Sequence, residues 1–297
     1  MGMDACTLCP RMCGVNRAAG EKGYCGMDAT IRAARAALHM WEEPCISGTR
    51  GSGAVFFSGC SLRCIFCQNF EIAEGNCAKE ISGERLSEIF LELQEQGAAN
   101  INLVTAAHYV PAVIESLKKA KAQGMDLPVI YNSSGYERVE TVQMLEEVVD
   151  VWLPDFKYMD SKLAFAYSRA KDYPEVARAA IREMMKAAGT CAYDEDGYIQ
   201  KGVIVRHLIL PGHTKNSIAV LDELYGTYGD DLTISLMNQY TPLPQVRNIP
   251  DLNRRVTKRE YEKVLDHALD LGITQGFFQE GGTAKESFIP LFDYEGL

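Results

Sequence analysis

Residues 54–69, AVFFSGCSLRCIFCQN, contain the feature that decides the fold. The first five form a short apolar run between glycines, a pattern that predicts a buried strand. Cys60, Cys64 and Cys67 follow at once with the spacing C-x3-C-x2-C, and we name residues 60–67 the three-cysteine loop. Closely spaced thiolates are the usual ligands of iron–sulfur clusters. The segment therefore predicts a [4Fe–4S] cluster directly after a buried strand.

The number of ligands in this loop is informative. Three cysteines on a cubane leave one iron open to a further ligand. The alternatives are a zinc site that borrows a fourth ligand, and three buried thiols without metal. Zinc sites favour paired C-x2–4-C units, and tight spacing after a strand is unusual for buried thiols. The loop thus favours a cluster with one open iron.

Four more cysteines stand in the first 25 residues of a chain with ten. We name them the N-terminal cysteine group: Cys6, Cys9, Cys13 and Cys25. Clustered cysteines indicate metal rather than disulfides in a chain that lacks a secretory leader. Their spacing suits either a second iron–sulfur cluster, which would relay electrons or hold substrate, or a structural zinc. Residues 1–50 are therefore predicted to be a cysteine-rich metal-binding lobe.

Strands and helices alternate from residue 54 onward. Strands are expected at residues 54–58, 101–105, 128–132, 151–154, 203–210 and 232–237. Helices are expected at residues 82–96, 110–122, 137–148, 164–188 with a break near Pro174, 217–228 and 258–271. Such alternation implies parallel strands joined by right-handed crossovers. Six units predict an α/β fold, a partial (β/α)6 TIM-like barrel, with an open doubly wound sheet as the alternative.

Polar residues follow most of these strands, at the end where such folds place their chemistry. Asp155 and Lys157 are two residues apart at a strand end, so they share one face. The alternative for them is a surface ion pair. Arg206 and His207 are neighbours on a strand and face opposite sides, so only one points inward.

The three-cysteine loop, with Phe66 just before its last cysteine, resembles the radical S-adenosylmethionine (SAM) superfamily. The resemblance is closer to the activating enzymes of pyruvate formate-lyase. It rests on residues 64–69, Asp155-Phe156-Lys157 and residues 205–212. An uncharacterised subgroup of these enzymes is most similar, through residues 6–11, 51–53, 105–109 and 131–136. The resemblance covers nearly the whole chain and implies a core barrel over residues 51–297 with a C-terminal extension.

The resemblance implies that SAM binds the open iron and is cleaved reductively to a 5′-deoxyadenosyl radical. The catalytic residues would be Cys60, Cys64 and Cys67. The cofactor-binding residues would be Phe66 near the adenine, Asn69, Thr105, His108, Asn132, Ser133, Asp155, Lys157, and Arg206 near the ribose. Lys157 suits the methionine carboxylate as a charged donor. Asn132, Ser133 and Asp155 supply oxygen atoms that suit a monovalent cation.

Two activities follow from the resemblance. An activating enzyme abstracts hydrogen from a glycine of a partner glycyl-radical enzyme and takes its electron from a flavodoxin or ferredoxin. Such enzymes carry Gly-Gly-Glu after the second strand, where this chain has Thr105-Ala-Ala-His108-Tyr109. The missing carboxylate favours the alternative, a radical enzyme acting on a small molecule or another macromolecule. A third interpretation is an electron carrier. The three-cysteine loop disfavours it, because an electron carrier does not need an iron with an open coordination position.

The composition excludes some partners. The net charge is −10, so a nucleic acid is not expected as a partner. No apolar run reaches the roughly 18 residues of a membrane span, and no signal peptide opens the chain. The sequence therefore predicts a cytoplasmic protein with no membrane partner.

Overall fold

The strands of the computed structural model, which describes residues 2–274, 276–279 and 290–297, form one sheet. In chain order they are β1 Arg32–His39, β2 Ser52–Phe57, β3 Lys79–Glu80, β4 Ile101–Val104, β5 Val129–Ser133, β6 Val151–Pro154, β7 Ala192–Tyr193, β8 Ile199–Leu208, β9 Thr233–Met237 and β10 Gly276–Phe278. The order across the sheet is β10-β9-β8-β6-β5-β4-β2-β1-β3, and β7 pairs with β8.

The strands from β2 to β10 along this order pair in parallel, as the alternation predicted. All six predicted strands are present, which confirms the α/β class. The described part of the sheet is not closed, and the partial (β/α)6 barrel stays a prediction. The sequence missed β10, a seventh parallel strand of three residues, which is too short to show a periodic pattern.

The sequence also missed β1, which lies inside the predicted N-terminal lobe. Its sequence, RAARAALH, is rich in alanine and has little strand propensity. Antiparallel pairing with β2 from Ala33 to His39 nevertheless makes it a strand. The sheet therefore crosses the boundary between residues 1–50 and 51–297, and that domain division stays a prediction.

From α3 onward the helices of the described chain agree in place with the predicted ones, whereas the four-residue helices α1 and α2 were not predicted. They are α1 Pro44–Ser47, α2 Phe70–Ala73, α3 Gly83–Glu95, α4 Val110–Ala122, α5 Val139–Leu145, α6 Ser161–Ser168, α7 Tyr173–Ala188, α8 Thr214–Tyr228 and α9 Lys258–Asp270. Ser82 caps α3 by accepting from the N–H of Arg85. The predicted break near Pro174 is confirmed: α6 ends at Ser168, the following Arg169 has a left-handed φ of 51°, and Pro174 stands in the first turn of α7.

The short helix α1 lies inside the curve of the sheet. Cys45 and Ile46 pack there in one apolar cluster with side chains of β5, β6 and β8. The side chain of Asn100 donates to the carbonyl of Ile46 at 2.8 Å, which fixes α1 against the start of β4. The residues just before α1 are thereby carried into the interior.

Both ends of the chain dock on this core. Arg138 and Thr141, at the start of α5, donate to the carbonyls of Thr7 and Leu8, each at 2.6 Å. Near the other end, the N–H of Tyr294 donates to a carbonyl of β1 at 3.0 Å. Among the described residues, no helix combines the length and the apolar character that crossing a bilayer requires.

Candidate functional site

A cavity of about 690 Å³ opens where the parallel strands end, and the three-cysteine loop forms part of its wall. Side chains from β1, β2, β4, β5, β8, β9 and β10 also line it, so the sheet curves around one space. The structure brings most of the predicted cofactor-binding residues to this wall. They are Phe66, Asn69, Thr105, Asn132, Ser133, Asp155, Lys157 and Arg206.

Local contacts fix the three-cysteine loop. A Cβ on Gly59, where φ is +90°, would lie 2.5 Å from Met27 Cγ, so the loop begins where only glycine fits. The hydroxyl of Ser168 donates to Cys64 Sγ at 3.0 Å. Burial raises the pKa of the Cys64 and Cys67 thiols, so without metal they stay protonated. Binding iron would displace those protons, which couples cluster binding to pH.

Phe66 offers an aromatic surface to the cavity. Its ring packs against the rings of Tyr158, Tyr167 and Tyr240, with centroids 6.5, 6.3 and 6.2 Å away. The side chain is 6% exposed and still lines the cavity. The ring is therefore held in one place and presents a flat apolar face to a ligand.

Asp155 and Lys157 form an ion pair in the wall, with Lys157 Nζ 2.5 Å from Asp155 Oδ2. Burial alone would lower the pKa of Lys157, but attraction chiefly to Asp155 outweighs it and raises that pKa above its usual value. Lys157 therefore stays charged. A Cβ on Gly135, where φ is +72°, would lie 2.0 Å from the Asp155 carbonyl oxygen. Glycine is needed at that position to let the two loops meet.

Arg206 lines the cavity, while His207 lies on the opposite face of β8 and contacts Ser217 and the carbonyl of Phe156. Arg206 is held by two carboxylates that the sequence analysis missed. Its Nε donates to Glu43 at 2.9 Å, and its Nη2 donates to both Glu42 and Glu43. Nothing in the sequence distinguishes these two glutamates from solvent-exposed glutamates in a turn before Pro44.

His108 is not part of the cavity wall. Its ring is buried in the 3-10 turn Ala107–Tyr109, and its Nε2 lies 2.7 Å from the Ser58 carbonyl. Burial lowers its pKa to about 3, so the ring is neutral. Thr105, three residues earlier, does line the cavity and has a left-handed φ of 62°. The structure thus separates two residues that the sequence analysis had placed together.

The N-terminal cysteine group also lies outside the cavity. A Cβ on Gly23 would lie 3.0 Å from Cys13 Sγ and 3.7 Å from Cys25 Sγ, so these two thiols face the same backbone. Burial raises the pKa of Cys9 to about 12, and the nearby thiols of Cys25 and Cys6 contribute to the rise. The four cysteines are therefore close together, and each is a free thiol.

Comparison with known proteins supports a cluster-binding domain. Residues 47–170, which include the three-cysteine loop, match the family model described as a 4Fe-4S single cluster domain. This match supports a [4Fe–4S] cluster as the cofactor. The fold is similar to that of two solved structures, SuiB and HydG.

Particular relatives are less informative about activity. An uncharacterized protein of Methanocaldococcus jannaschii is 29% identical over 270 residues, which is 89% of this chain and 74% of that protein. SuiB of Streptococcus suis, bound to S-adenosylmethionine, has a TM-score of 0.51 and 13% identity over 75% of this chain and 48% of its own. HydG, a maturase of the [FeFe]-hydrogenase, has a TM-score of 0.53 and 14% identity over 80% and 54%. The chain thus spans about half the length of the two solved structures.

Proposed function

We propose that this protein binds S-adenosylmethionine in the 690 Å³ cavity and cleaves it reductively, so that a 5′-deoxyadenosyl radical abstracts hydrogen from a substrate. The observation that carries the proposal is that the three-cysteine loop and the Asp155–Lys157 pair open into one cavity at the ends of the parallel strands. The bound cluster would supply an open iron and one electron. SuiB, whose structure holds S-adenosylmethionine, shares the fold.

The charged pair would hold the methionine end of the cofactor. Lys157 stays protonated and faces the cavity beside Cys64, where it can donate to a carboxylate. Asp155 keeps that ammonium in place at 2.5 Å. Asn132 and Ser133 add oxygen atoms on the same wall, which suits a monovalent cation.

The nucleoside end would lie between Phe66 and Arg206. The Phe66 face can stack on adenine, because its ring is fixed by three tyrosines. We assign the ribose to the neighbourhood of Arg206, whose guanidinium is held by Glu42 and Glu43. We assign the methionine amino group to Thr105, a polar side chain that lines the cavity at the end of β4. His108 has no role in cofactor binding in this proposal, because its ring contacts the Ser58 carbonyl outside the cavity.

The hydrogen donor defines two candidate functions. The resemblance to pyruvate formate-lyase activating enzymes supports a glycyl-radical enzyme as the target. The Thr105–Tyr109 segment, which replaces Gly-Gly-Glu, favours a small molecule or another macromolecule instead. In either case we propose a flavodoxin or ferredoxin as the electron donor and the reducing cytoplasm as the compartment. A partial (β/α)6 barrel would place the side chains of β2, β4, β5, β8 and β9 around one cavity.

Anaerobic reconstitution tests the cofactor. The electron paramagnetic resonance (EPR) spectrum of the reduced cluster should change when S-adenosylmethionine is added. Cys60→Ala, Cys64→Ala or Cys67→Ala should abolish 5′-deoxyadenosine formation, and Cys191→Ala is the matched control because that thiol lies by β8. Normal turnover in any one of these three loop variants would refute the ligand assignment. Deuterated candidate substrates, including glycyl-radical enzymes, should reveal which one transfers deuterium to 5′-deoxyadenosine.

A further inference from the structure

Three arginines lie between the N-terminal cysteine group and the three-cysteine loop. Arg17 is 1% exposed and donates to the carbonyls of His108 and Asp28, each at 2.5 Å. Its Nη1 also lies 3.8 Å from Cys6 Sγ. Within residues 2–274, 276–279 and 290–297, Arg17 forms no ion pair, and the Asp28 carboxylate pairs with Arg32 instead. A cation buried with only neutral partners is costly unless an anionic group lies nearby.

The other two arginines join the two cysteine sets. Arg11 Nε donates to the carbonyl of Ser61, inside the three-cysteine loop, at 2.9 Å. Its Nη2 donates to the carbonyl of Ser168 at 2.8 Å, and the Ser168 hydroxyl donates to Cys64 Sγ. Arg63 lies within the loop, faces Gly26 of the lobe, and has a buried Nε without a hydrogen-bond partner. Neither Arg11 nor Arg63 pairs with a carboxylate of the described chain. Three arginines without a carboxylate partner among the described residues therefore lie near the two groups of thiols, each with its guanidinium over a tyrosine ring.

Backbone atoms contact one sulfur of each group. In the three-cysteine loop, the N–H of Leu62 donates to Cys60 Sγ at 3.4 Å. In the N-terminal cysteine group, Cys25 Sγ lies 3.8 Å from the carbonyl oxygen of Met27 and donates to it as a thiol. Hydrogen bonds to the sulfur atoms tune the potential of iron–sulfur clusters.

Zinc fits this arrangement less well. In the described residues, no three His, Cys, Asp or Glu side chains converge as they would on a single metal ion. The three-cysteine loop meets that criterion no better, although it matches a cluster domain. Each thiolate of a cubane cluster binds a different iron, so the thiolates lie further apart than the ligands of a single zinc ion. Among the described residues, neither group of cysteines is arranged around a single ion.

We propose that the N-terminal cysteine group binds a second [4Fe–4S] cluster and that this cluster passes electrons to the one in the three-cysteine loop. One electron from a reductant of the flavodoxin or ferredoxin class enters the second cluster and leaves for the first, with no bond or proton transferred. Cys13 is exposed, which gives the reductant an approach. Arg11 and Ser168 provide the hydrogen-bonded path to Cys64. The transfer of the electron to the cluster in the three-cysteine loop rests on the proposed function, whereas the binding of a second cluster by the N-terminal cysteine group does not.

Iron content tests the site without any turnover. After anaerobic reconstitution, the full chain should hold about eight irons, and C60A/C64A/C67A should retain about four. The reduced triple variant should give an EPR signal that S-adenosylmethionine leaves unchanged. C6A/C9A should also hold about four irons, with a signal that responds to S-adenosylmethionine. C77A/C191A is the matched control, since it removes two thiols outside both groups, and it should keep about eight.

Either an iron-free triple variant or one that binds a single zinc would overturn the proposal. Arg17→Gln in the chain that keeps all ten cysteines gives a second measurement if the cysteine variants fail to fold. Loss of that cation should lower the midpoint potential of the N-terminal cluster, because the reduced form carries more negative charge. An unchanged potential would show that Arg17 does not face a cluster. Eight irons with no spectral response to S-adenosylmethionine would sink the proposed function alone.

Discussion

Removing Arg206 should destabilise the protein strongly, because two buried carboxylates depend on it. The side chains of Glu42 and Glu43 are 9% and 6% exposed, and that of Arg206 is 12% exposed. Arg206→Met keeps the apolar stem and removes the guanidinium. Breaking a buried ion pair by deleting one partner costs about 3–5 kcal/mol. In a chain of this size that corresponds to a fall of roughly 10 °C in the melting temperature.

Neutralising the carboxylates should reverse most of this loss. In the triple variant R206M/E42Q/E43Q no charge is left buried, and the amide of Asn102 can still bond the side chain at residue 42. We expect it to recover more than half of the lost free energy of unfolding. Arg178→Met is the matched control. Its partner Glu223 and Arg178 itself are 23% and 31% exposed, so its loss should be about 1 kcal/mol.

The pH dependence gives an independent check on the same triad. Burial acts to raise the pKa of Glu43, but Arg206 outweighs it and holds that pKa below its usual value. In R206M, burial is unopposed and the pKa rises. The wild type keeps this contribution until the pH falls below about 4.3, the usual pKa of a glutamate. R206M instead gains stability as the pH falls from about 7 to 5, because its buried carboxyl takes up a proton, so the stability gap between the two proteins should narrow over that range.

The assay is urea unfolding of the anaerobic protein, followed by circular dichroism. The reasoning fails if R206M loses less than about 1 kcal/mol, since that value belongs to exposed pairs. It also fails if the triple variant is no more stable than R206M. Either result would mean that water or another cation compensates Glu42 and Glu43.

Three further substitutions test the wall of the cavity and its support. Lys157→Met should weaken S-adenosylmethionine binding about 10- to 100-fold, as expected for a lost charged hydrogen bond, measured by calorimetry. Gly135→Ala should cost about 2 kcal/mol or more in urea unfolding and displace Asp155. Gly124→Ala, with φ +103° and open space around it, should cost less. Burial holds the pKa of His207 near 4, so stability falls as the pH drops below about 6.5, and His207→Gln should remove about 2 kcal/mol of the loss between pH 7 and pH 5.

Local patterns explain why much of the fold could be predicted. Leu86, Ile89, Phe90 and Leu93 share one helical face in the sequence, and all four are buried on α3. The six strands were predicted from apolar runs bounded by glycine or polar residues. Parallel strands leave their ends at one edge of the sheet, so Asp155, Lys157 and the three-cysteine loop could be expected to meet. Predicting such features requires only the local sequence and the general rules of α/β folds.

The floor of the cavity could not be predicted, because it depends on contacts between distant parts of the chain. Arg206 and Glu43 are 163 residues apart, and they meet only because α1 is carried inside the sheet. That placement requires β1 to be a strand, against the propensity of its alanines. Because the sequence analysis missed this one strand, it also missed two carboxylates of the site. The same omission explains why His108 was wrongly expected in the site. Its ring contacts the Ser58 carbonyl, and Ser58 directly follows β2, the strand that pairs with β1.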